Sequence, residues 1–371
     1  MNKKTLLQVR YGYPGLGITC NEYLAAFPSA DFAKIVVFLC GPDNPAIRQQ
    51  VPADEVIFLN LSKGSLKGVA LKGVLKLRAI CQKNRVDTVL AHRYKSLKIM
   101  ALVGLFCPSL RVFSVFHRFG SFKTLSRKLV GAWCLKRGYK IIAVSEALQQ
   151  DILNAGMGAT PKEVVAIANC VDPDLIEKRI CSRPEARAFF NLQENHFVVG
   201  TISRLSKAKD LPTLLRAFAE VKKRLPLAHL IIVGEGHLQA ALEKQRQELH
   251  LVGSVTFAGR VEEAWRVIPA FDVFVLSSVE EPFGRVFLEA MAAKTPIVAT
   301  NTDGAREVLG PDYHLSPLGD YHDIAESIVQ VATTMEQPQK SLLVENLYLR
   351  LRKNFNRQVF QKKLLCCINR L

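Results

Sequence analysis

Between Asn60 and Lys140 the chain has almost no negative charge. Asp87 is the one acid there, against eighteen Lys and Arg, so this stretch alone carries +17, the formal net charge of the whole 371-residue chain. Long apolar runs are also missing. The longest weakly polar run, Ile99 to Leu110, is far short of the ~20 residues that span a bilayer as a helix. Arg10 interrupts the apolar run near the basic N-terminus, which argues for a first strand and against a signal peptide. The nine cysteines form no CxxC pair and no His/Cys metal spacing, and the adjacent Cys366-Cys367 is no zinc signature. They read as free thiols in cores, in a reducing cytoplasm. No helix-turn-helix, RNA-recognition or zinc signature accompanies the basic charge, so nucleic acid is not the expected partner. There is no GxGxxG fingerprint. No Asp-x-Asp follows a strand to hold a metal, since Asp172-Pro173-Asp174 lies on a turn.

What is present is a repeated alternation. Short apolar runs recur at Thr5 to Arg10, Lys34 to Cys40, Glu55 to Leu59, Thr88 to Ala91, Val112 to His117 and Lys140 to Val144. Helix-like stretches such as Gly68 to Asn84 and Lys123 to Lys136 separate them. The composition changes at Ile176 to Pro184, and a second series follows: Phe197 to Ser203, His229 to Val233, Val255 to Ala258, Val273 to Leu276 and Pro296 to Ala299. The length suggests two domains, and the alternation implies an α/β fold with mostly parallel sheets. The expected domains are 1–175 and 176–351.

In the basic stretch, Leu66, Val69, Ala70, Val74 and Leu77 interleave with Lys67, Lys72 and Lys76 at helical spacing. A basic amphipathic surface suits an anionic membrane or an anionic acceptor. The plainer alternative is a solvated basic face.

The residues that suggest chemistry follow strands. Tyr11 to Gly17 is a glycine loop, with Gly15 and Gly17, between a strand and the helix-like Ile18 to Phe27. His117 closes an apolar strand; it is either a ligand contact or a hydrogen-bonded structural histidine. Arg204 and Lys209 flank the loop SRLSKAKD before a helix. Cations beside a helix N-terminus can cradle a diphosphate. Gly234 and Gly236 follow the next strand, Arg260 the one after. Then comes SSVEEPFGRVFLEAMAA, Ser277 to Ala293. Glu281 lies on its loop and Glu289 in the second turn of the helix after it. Backbone N–H groups at Phe283 and Gly284 open that helix without intrahelical partners. Carboxylates accept from vicinal hydroxyls and N–H groups donate back, which suits a polyhydroxylated ligand. Acidic residues also favour helix starts for electrostatic reasons alone. Gly304 follows in TDGAREVL.

Together SRLSKAKD, VGEG, EPFGRVFLEA and TDGAREVL resemble the glycosyl transferases of group 1, the retaining nucleotide-sugar transferases of family four. The similarity covers most of Thr5 to Leu309 and is densest from Gly200. His117, Ser145 and Asn169 match weaker features. The departures are Ser203 and Asp210 where the family usually has glycine, Cys170 after Asn169, and Pro14-Gly15-Leu16-Gly17 in place of a Gly-Gly pair.

The resemblance implies the GT-B fold: two doubly wound Rossmann-like domains facing across a cleft, with a C-terminal helix at about 352–371 returning to the first. It implies a nucleoside-diphosphate sugar as co-substrate, with no metal or other cofactor. Arg204 and Lys209 would neutralise the leaving diphosphate. Glu289 would hold the ribose diol. Glu281, with the N–H groups of Phe283 and Gly284, would bind the donor sugar, and His117 would contact that sugar from the other domain. Gly15, Gly17, Gly234 and Arg260 complete the expected donor site. The acceptor would be a glycan or glycolipid of the bacterial surface, such as lipopolysaccharide core, reached by a cytoplasmic enzyme peripheral on the inner membrane through segment 60–140. Two alternatives stay open: a nucleotide-sugar epimerase of the same fold, and a non-catalytic membrane- or nucleic-acid-binding protein.

Overall fold

The computed structural model describes residues 3–12, 17–333 and 337–369. The chain forms two compact units, one of residues 1–169 with 357–371, the other of 170–356. The first break falls where Asn169 ends the first unit, a few residues before the composition change that sets the sequence-based boundary at 175.

The first unit holds seven strands: β1 (Lys4–Arg10), β2 (Phe32–Phe38), β3 (Glu55–Phe58), β4 (Thr88–His92), β5 (Arg111–Phe116), β6 (Lys140–Ala143) and β7 (Val164–Ala166). They make one sheet, ordered β3-β2-β1-β4-β5-β6-β7, parallel throughout. Buried on both faces, the strands read as continuous apolar runs such as Phe32–Phe38 and Arg111–Phe116. The final helix, Arg357–Asn369, belongs to this unit. Its Phe360 meets the ring of Tyr23 edge-on at 4.8 Å, and Arg357 pairs with Glu22 at 3.1 Å.

The second unit has five strands: β8 (Phe197–Ile202), β9 (Ala228–Val233), β10 (Val255–Gly259), β11 (Val273–Leu276) and β12 (Ile297–Ala299). Their order is β10-β9-β8-β11-β12, again parallel. Helix Leu211–Arg224 repeats apolar residues at 211, 214, 215, 218 and 221, the spacing of one buried face. That face packs on Val199, Leu230 and Ile232 of the sheet and on Ile324 and Ile328 of helix Tyr321–Thr333.

In both sheets the strand order reverses once, between β1 and β4 and between β8 and β11. In doubly wound sheets the loops leaving the carboxyl ends at such a reversal bound the ligand crevice.

Two sequence expectations are corrected. The helix in the basic stretch is Leu71–Lys83, and Val69 lies exposed before it; Leu66, Ala70, Val74 and Leu77 are the buried members. The cysteines are all free, but Cys366 is exposed and four others are half-buried, so only Cys20, Cys81, Cys134 and Cys170 are core thiols. Cys170 also has no positive φ, so this departure from Asn-Gly carries no backbone strain. Among the described residues no helix is long and apolar enough to cross a membrane.

Candidate functional site

The loops after β8 and β11 are tied to each other by backbone and hydroxyl hydrogen bonds. Ala208 O accepts from the N–H of Val279 at 3.0 Å and of Glu280 at 3.3 Å. Ser277 Oγ donates to Lys209 O at 3.0 Å or Asp210 O at 3.1 Å. The turn that aims Lys209 ends at Asp210, whose φ of 43° lies in the left-handed region. Glycine suits that position best, but Asp tolerates it better than most residues, so the substitution keeps the turn. The result is an ion pair between Lys209 Nζ and Glu281, with side chains 14% and 11% exposed. Two groups 72 positions apart are thus held together in a largely water-excluded place.

Three glycines allow the close approaches that shape this region. A Cβ on Gly234, whose φ is 135°, would stand 1.9 Å from Ser203 O. One on Gly236 would stand 2.2 Å from Leu205 O, and Leu205 N–H donates to Glu235 O at 3.1 Å. The loop after β9 therefore lies backbone to backbone on the loop after β8. Gly304 plays the same part for Glu281; its N–H donates to Glu281 O at 2.9 Å.

Glu289 sits in helix Arg285–Ala292, one turn beyond Arg285. Its carboxylate is buried and lies 3.8 Å from Arg285 Nε, too far for a hydrogen bond. Burial pushes its pKa up, and Arg285 partly offsets that. Among the described residues Glu289 accepts no side-chain hydrogen bond, so it keeps acceptor capacity for hydroxyls. Gly284 begins this helix at φ 82°, and the N–H groups of Phe283 and Gly284 find no backbone acceptor among the described residues. Phe283 is itself fixed by packing, its ring 5.8 Å from that of Phe355.

Arg204 is exposed and makes no ion pair among the described residues. Arg260 is also exposed and lies 3.7 Å from Glu235. Among the described residues no hydrogen bond or ion pair joins either to Lys209, Glu281 or Glu289. The structure thus brings together Lys209, Glu281, Phe283, Gly284 and Gly304, while Glu289 faces Arg285 one turn into the helix and Gly234 lies against Ser203. Sequence reasoning did not single out Ser277 and Arg285; a hydroxyl directly after a strand and a cation four residues before Glu289 were the available signals. Asp172 caps the helix Pro173–Arg179, accepting from Leu175 N–H at 3.1 Å, and Asp174 pairs with Arg352 at 2.7 Å. Those two roles are structural.

In the first unit Gly15 lies outside the described residues, and Gly17 is the first residue of helix Gly17–Ala25. His117 directly follows β5 and is half-buried. Its Nε2 is 3.2 Å from His92 Nδ1, and the rings stack at 5.5 Å. Burial above all, with Arg93, pushes the His117 pKa down to about 3. His92, fully buried at the end of β4, is held well below the usual imidazole range by burial, with His117, Arg10 and Arg93 adding to it. Both rings are therefore neutral near pH 7. Ser145 caps the helix Glu146–Leu153, accepting from Leu148 N–H at 3.1 Å.

Known proteins share this fold, and some share part of the sequence. The solved structure of HepE from Anabaena, in complex with UDP and glucose, superposes with a TM-score of 0.83 at 22% identity over the whole of both chains. The lipopolysaccharide outer core galactosyltransferase WaaB superposes at 0.72 with 18% identity, also over both whole chains. In sequence, the lipopolysaccharide core biosynthesis glycosyltransferase LpsE of Rhizobium meliloti is 35% identical over 136 residues, 36% of this chain and 39% of that one. The Campylobacter jejuni N-acetylgalactosaminyltransferase acting on a diphospho-undecaprenol-linked sugar is 26% identical over 282 residues, 72% of this chain and 74% of its own. Several other curated relatives are matched over less than half their length. The family description "Glycosyltransferase Family 4" matches residues 15–175 and "Glycosyl transferases group 1" matches residues 182–341, so that with both units of the fold accounted for, the chain belongs to the group 1, family 4 glycosyltransferases.

Proposed function

We propose that this protein is a retaining glycosyltransferase that moves a sugar from a nucleoside-diphosphate donor to a bacterial cell-surface glycan, with lipopolysaccharide core as the first candidate. The observation that carries the reading is the Lys209–Glu281 pair at the reversal of the second sheet, one helical segment from the buried Glu289. The difficult event in such a transfer is departure of the nucleoside diphosphate as negative charge grows on it. Lys209, with Arg204 on the same loop, supplies positive charge there, and the free N–H groups that open the neighbouring helices supply dipoles. Glu289 takes the ribose diol and Glu281 the sugar hydroxyls. The two cations do the work a divalent metal would do, so transfer needs none. HepE, which shares this fold, was solved both with UDP and glucose and with UDP-glucose, which makes uridine donors the first to try.

A thermal-shift panel of nucleoside diphosphates and their sugars tests the reading. A ligand at a hundred times its Kd stabilises the native state by about 2.7 kcal/mol, a shift of several degrees. At least one nucleoside diphosphate should give that shift equally with and without excess chelator. A shift that vanishes with chelator would remove the metal-independent mechanism, and no shift from any nucleotide would remove the donor site.

The membrane part of the proposal rests on the first unit. Helices Leu71–Lys83, Arg93–Val103 and Leu125–Lys136 pack in succession. Leu71, Leu75, Leu125 and Leu129 are exposed, the last two by 72% and 63%. Exposed Lys67, Lys72, Lys76, Lys123 and Arg127 lie among them. Apolar side chains beside basic ones that form no ion pair among the described residues suit the anionic surface that carries a lipid-linked acceptor. Sedimentation should be strong with vesicles containing anionic lipid and weak with neutral ones. Equal sedimentation would remove this part of the proposal and leave the transferase reading standing.

A further inference from the structure

The reversal in the first sheet is occupied by polar side chains in an otherwise apolar layer. Gln8 and Arg10 on β1 and His92 on β4 are all nearly inaccessible, and His117 follows β5. Arg10 Nε donates to Gln8 Oε1 at 2.7 Å, and Gln8 Nε2 donates to Cys20 O at 2.8 Å. Gln8 Nε2 is also 2.9 Å from His92 Nε2, and His92 Nδ1 is 3.2 Å from His117 Nε2.

The directions of these bonds follow from chemistry. A guanidinium only donates, so the amide oxygen of Gln8 must face Arg10. A backbone carbonyl only accepts, so the amide nitrogen must face Cys20. Both neighbours agree on one orientation, which removes the usual ambiguity of a glutamine amide. The second amide hydrogen then points at His92 Nε2, which must accept. A neutral imidazole that accepts at one nitrogen carries its proton on the other, so His92 donates from Nδ1 to His117 Nε2. His117 accepts there in turn, and its own proton lies on Nδ1.

We propose that Arg10, Gln8 and His92 are positioning residues that fix His117 as the Nδ1–H tautomer, so that it acts only as a hydrogen-bond donor to a hydroxyl or oxyanion of bound sugar at this edge of the sheet. The proposal rests on the reading of His117 as a sugar-contacting residue. Arg10 has no carboxylate partner among the described residues; its other donor goes to Asn21 Oδ1 at 2.8 Å. A buried guanidinium held by neutral acceptors is costly if its only purpose is packing. As the fixed donor at the inner end it gives the chain of bonds a direction. The same logic orients metal-bound histidines through the group behind them. His117 Nδ1 makes no hydrogen bond to another described residue, and the relay leaves it able to donate.

The tautomer is readable without any turnover. Long-range proton–nitrogen correlation spectra of the uniformly 15N-labelled full chain at neutral pH, assigned with His117→Gln and His92→Gln, should show His117 protonated at Nδ1 and bare at Nε2. The opposite pattern overturns the proposal. Gln8→Glu supplies the second reading. A carboxylate there still accepts from Arg10 and requires a proton from His92 Nε2, so the bonds from residue 8 to His92 and from His92 to His117 reverse and His117 loses its Nδ1 proton. The folded variant should show that reversed spectrum, bind nucleoside diphosphate as the wild type does, and lose about 10²-fold in kcat, as for removal of one transition-state donor, with KM for the donor little changed. A reversed tautomer with unchanged kcat would overturn the functional part. If the variant does not fold, the wild-type spectrum still decides the tautomer. If the wild-type spectrum is as expected but no nucleotide binds, the transferase reading fails and the relay stands.

Discussion

Lys209→Met is expected to lower kcat/KM for sugar transfer by about 10²–10³-fold, the cost of removing one preorganised group from developing negative charge. The side chain is held by Glu281 and is about one-seventh exposed, so its charge acts in a medium less screened than water. The same change has a second consequence. It leaves Glu281 largely buried with its cation gone, and breaking a buried pair from one side costs about 3–5 kcal/mol. Activity and stability must therefore be measured apart. Lys209→Met with Glu281→Gln removes both charges, and should recover most of the lost melting temperature while recovering none of the turnover. Glu281→Gln alone should cost about 2 kcal/mol or more of transition-state stabilisation, because an amide replaces the carboxylate proposed to accept from sugar hydroxyls. If Lys209→Met turned over within about threefold of wild type at a temperature where it is folded, the leaving-group role would be lost. A fall in kcat/KM that the double variant reversed would show that the loss came from the uncompensated charge of Glu281 and that turnover needs neither charge.

The residues of that pair illustrate what a linear sequence reveals. Glu281 and Glu289 are eight apart with Pro282 and Gly284 between them, so a loop position and a helix position follow from local rules, and the structure has them there. Lys209 before an apolar-periodic helix is equally local. Their meeting is not local: it depends on β8 and β11 being neighbours, and on Ala208 O receiving the N–H groups of Val279 and Glu280. The strand alternation made two parallel sheets readable, because fully buried strands are apolar throughout. The same rule hid the relay in the first unit. Gln8 and Arg10 stand in TLLQVR as interruptions of a strand, and His92 lies 84 positions away; only the order β1-β4-β5 makes them neighbours of His117. Val69 was misplaced for a local reason. A helical period continues from Leu66 to Leu77 in sequence, but the backbone enters the helix only at Leu71, after Ala70 at φ 55°.

Gly304→Ala should separate the site from the fold. Gly304 lies in helix Asp303–Leu309 with ordinary helical φ, where alanine is intrinsically better by about 1 kcal/mol. Propensity alone therefore predicts a more stable protein. The new Cβ, however, would stand 2.5 Å from Glu281 O, 2.7 Å from Phe283 N and 2.8 Å from Phe283 C. These are backbone atoms and cannot rotate aside. Either the helix backs away, lengthening the Gly304 N–H bond to Glu281 O, or residues 281–283 move. Both shift Glu281 relative to Lys209 and turn the N–H of Phe283. A misplacement of about 1 Å at a reacting centre costs about 10²-fold in rate, and that loss is expected in kcat/KM here. The clash spares the hydrophobic cluster that joins helix Leu211–Arg224, the sheet and helix Tyr321–Thr333, so the melting temperature should fall by much less than such a loss would suggest. Gly253→Ala is the matched control: its Cβ would meet nothing within 4 Å, and both turnover and melting temperature should stay at wild-type values. Wild-type turnover in Gly304→Ala, with the loss appearing only in melting temperature, would mean that the Glu281 loop tolerates displacement and that its position does not set the rate.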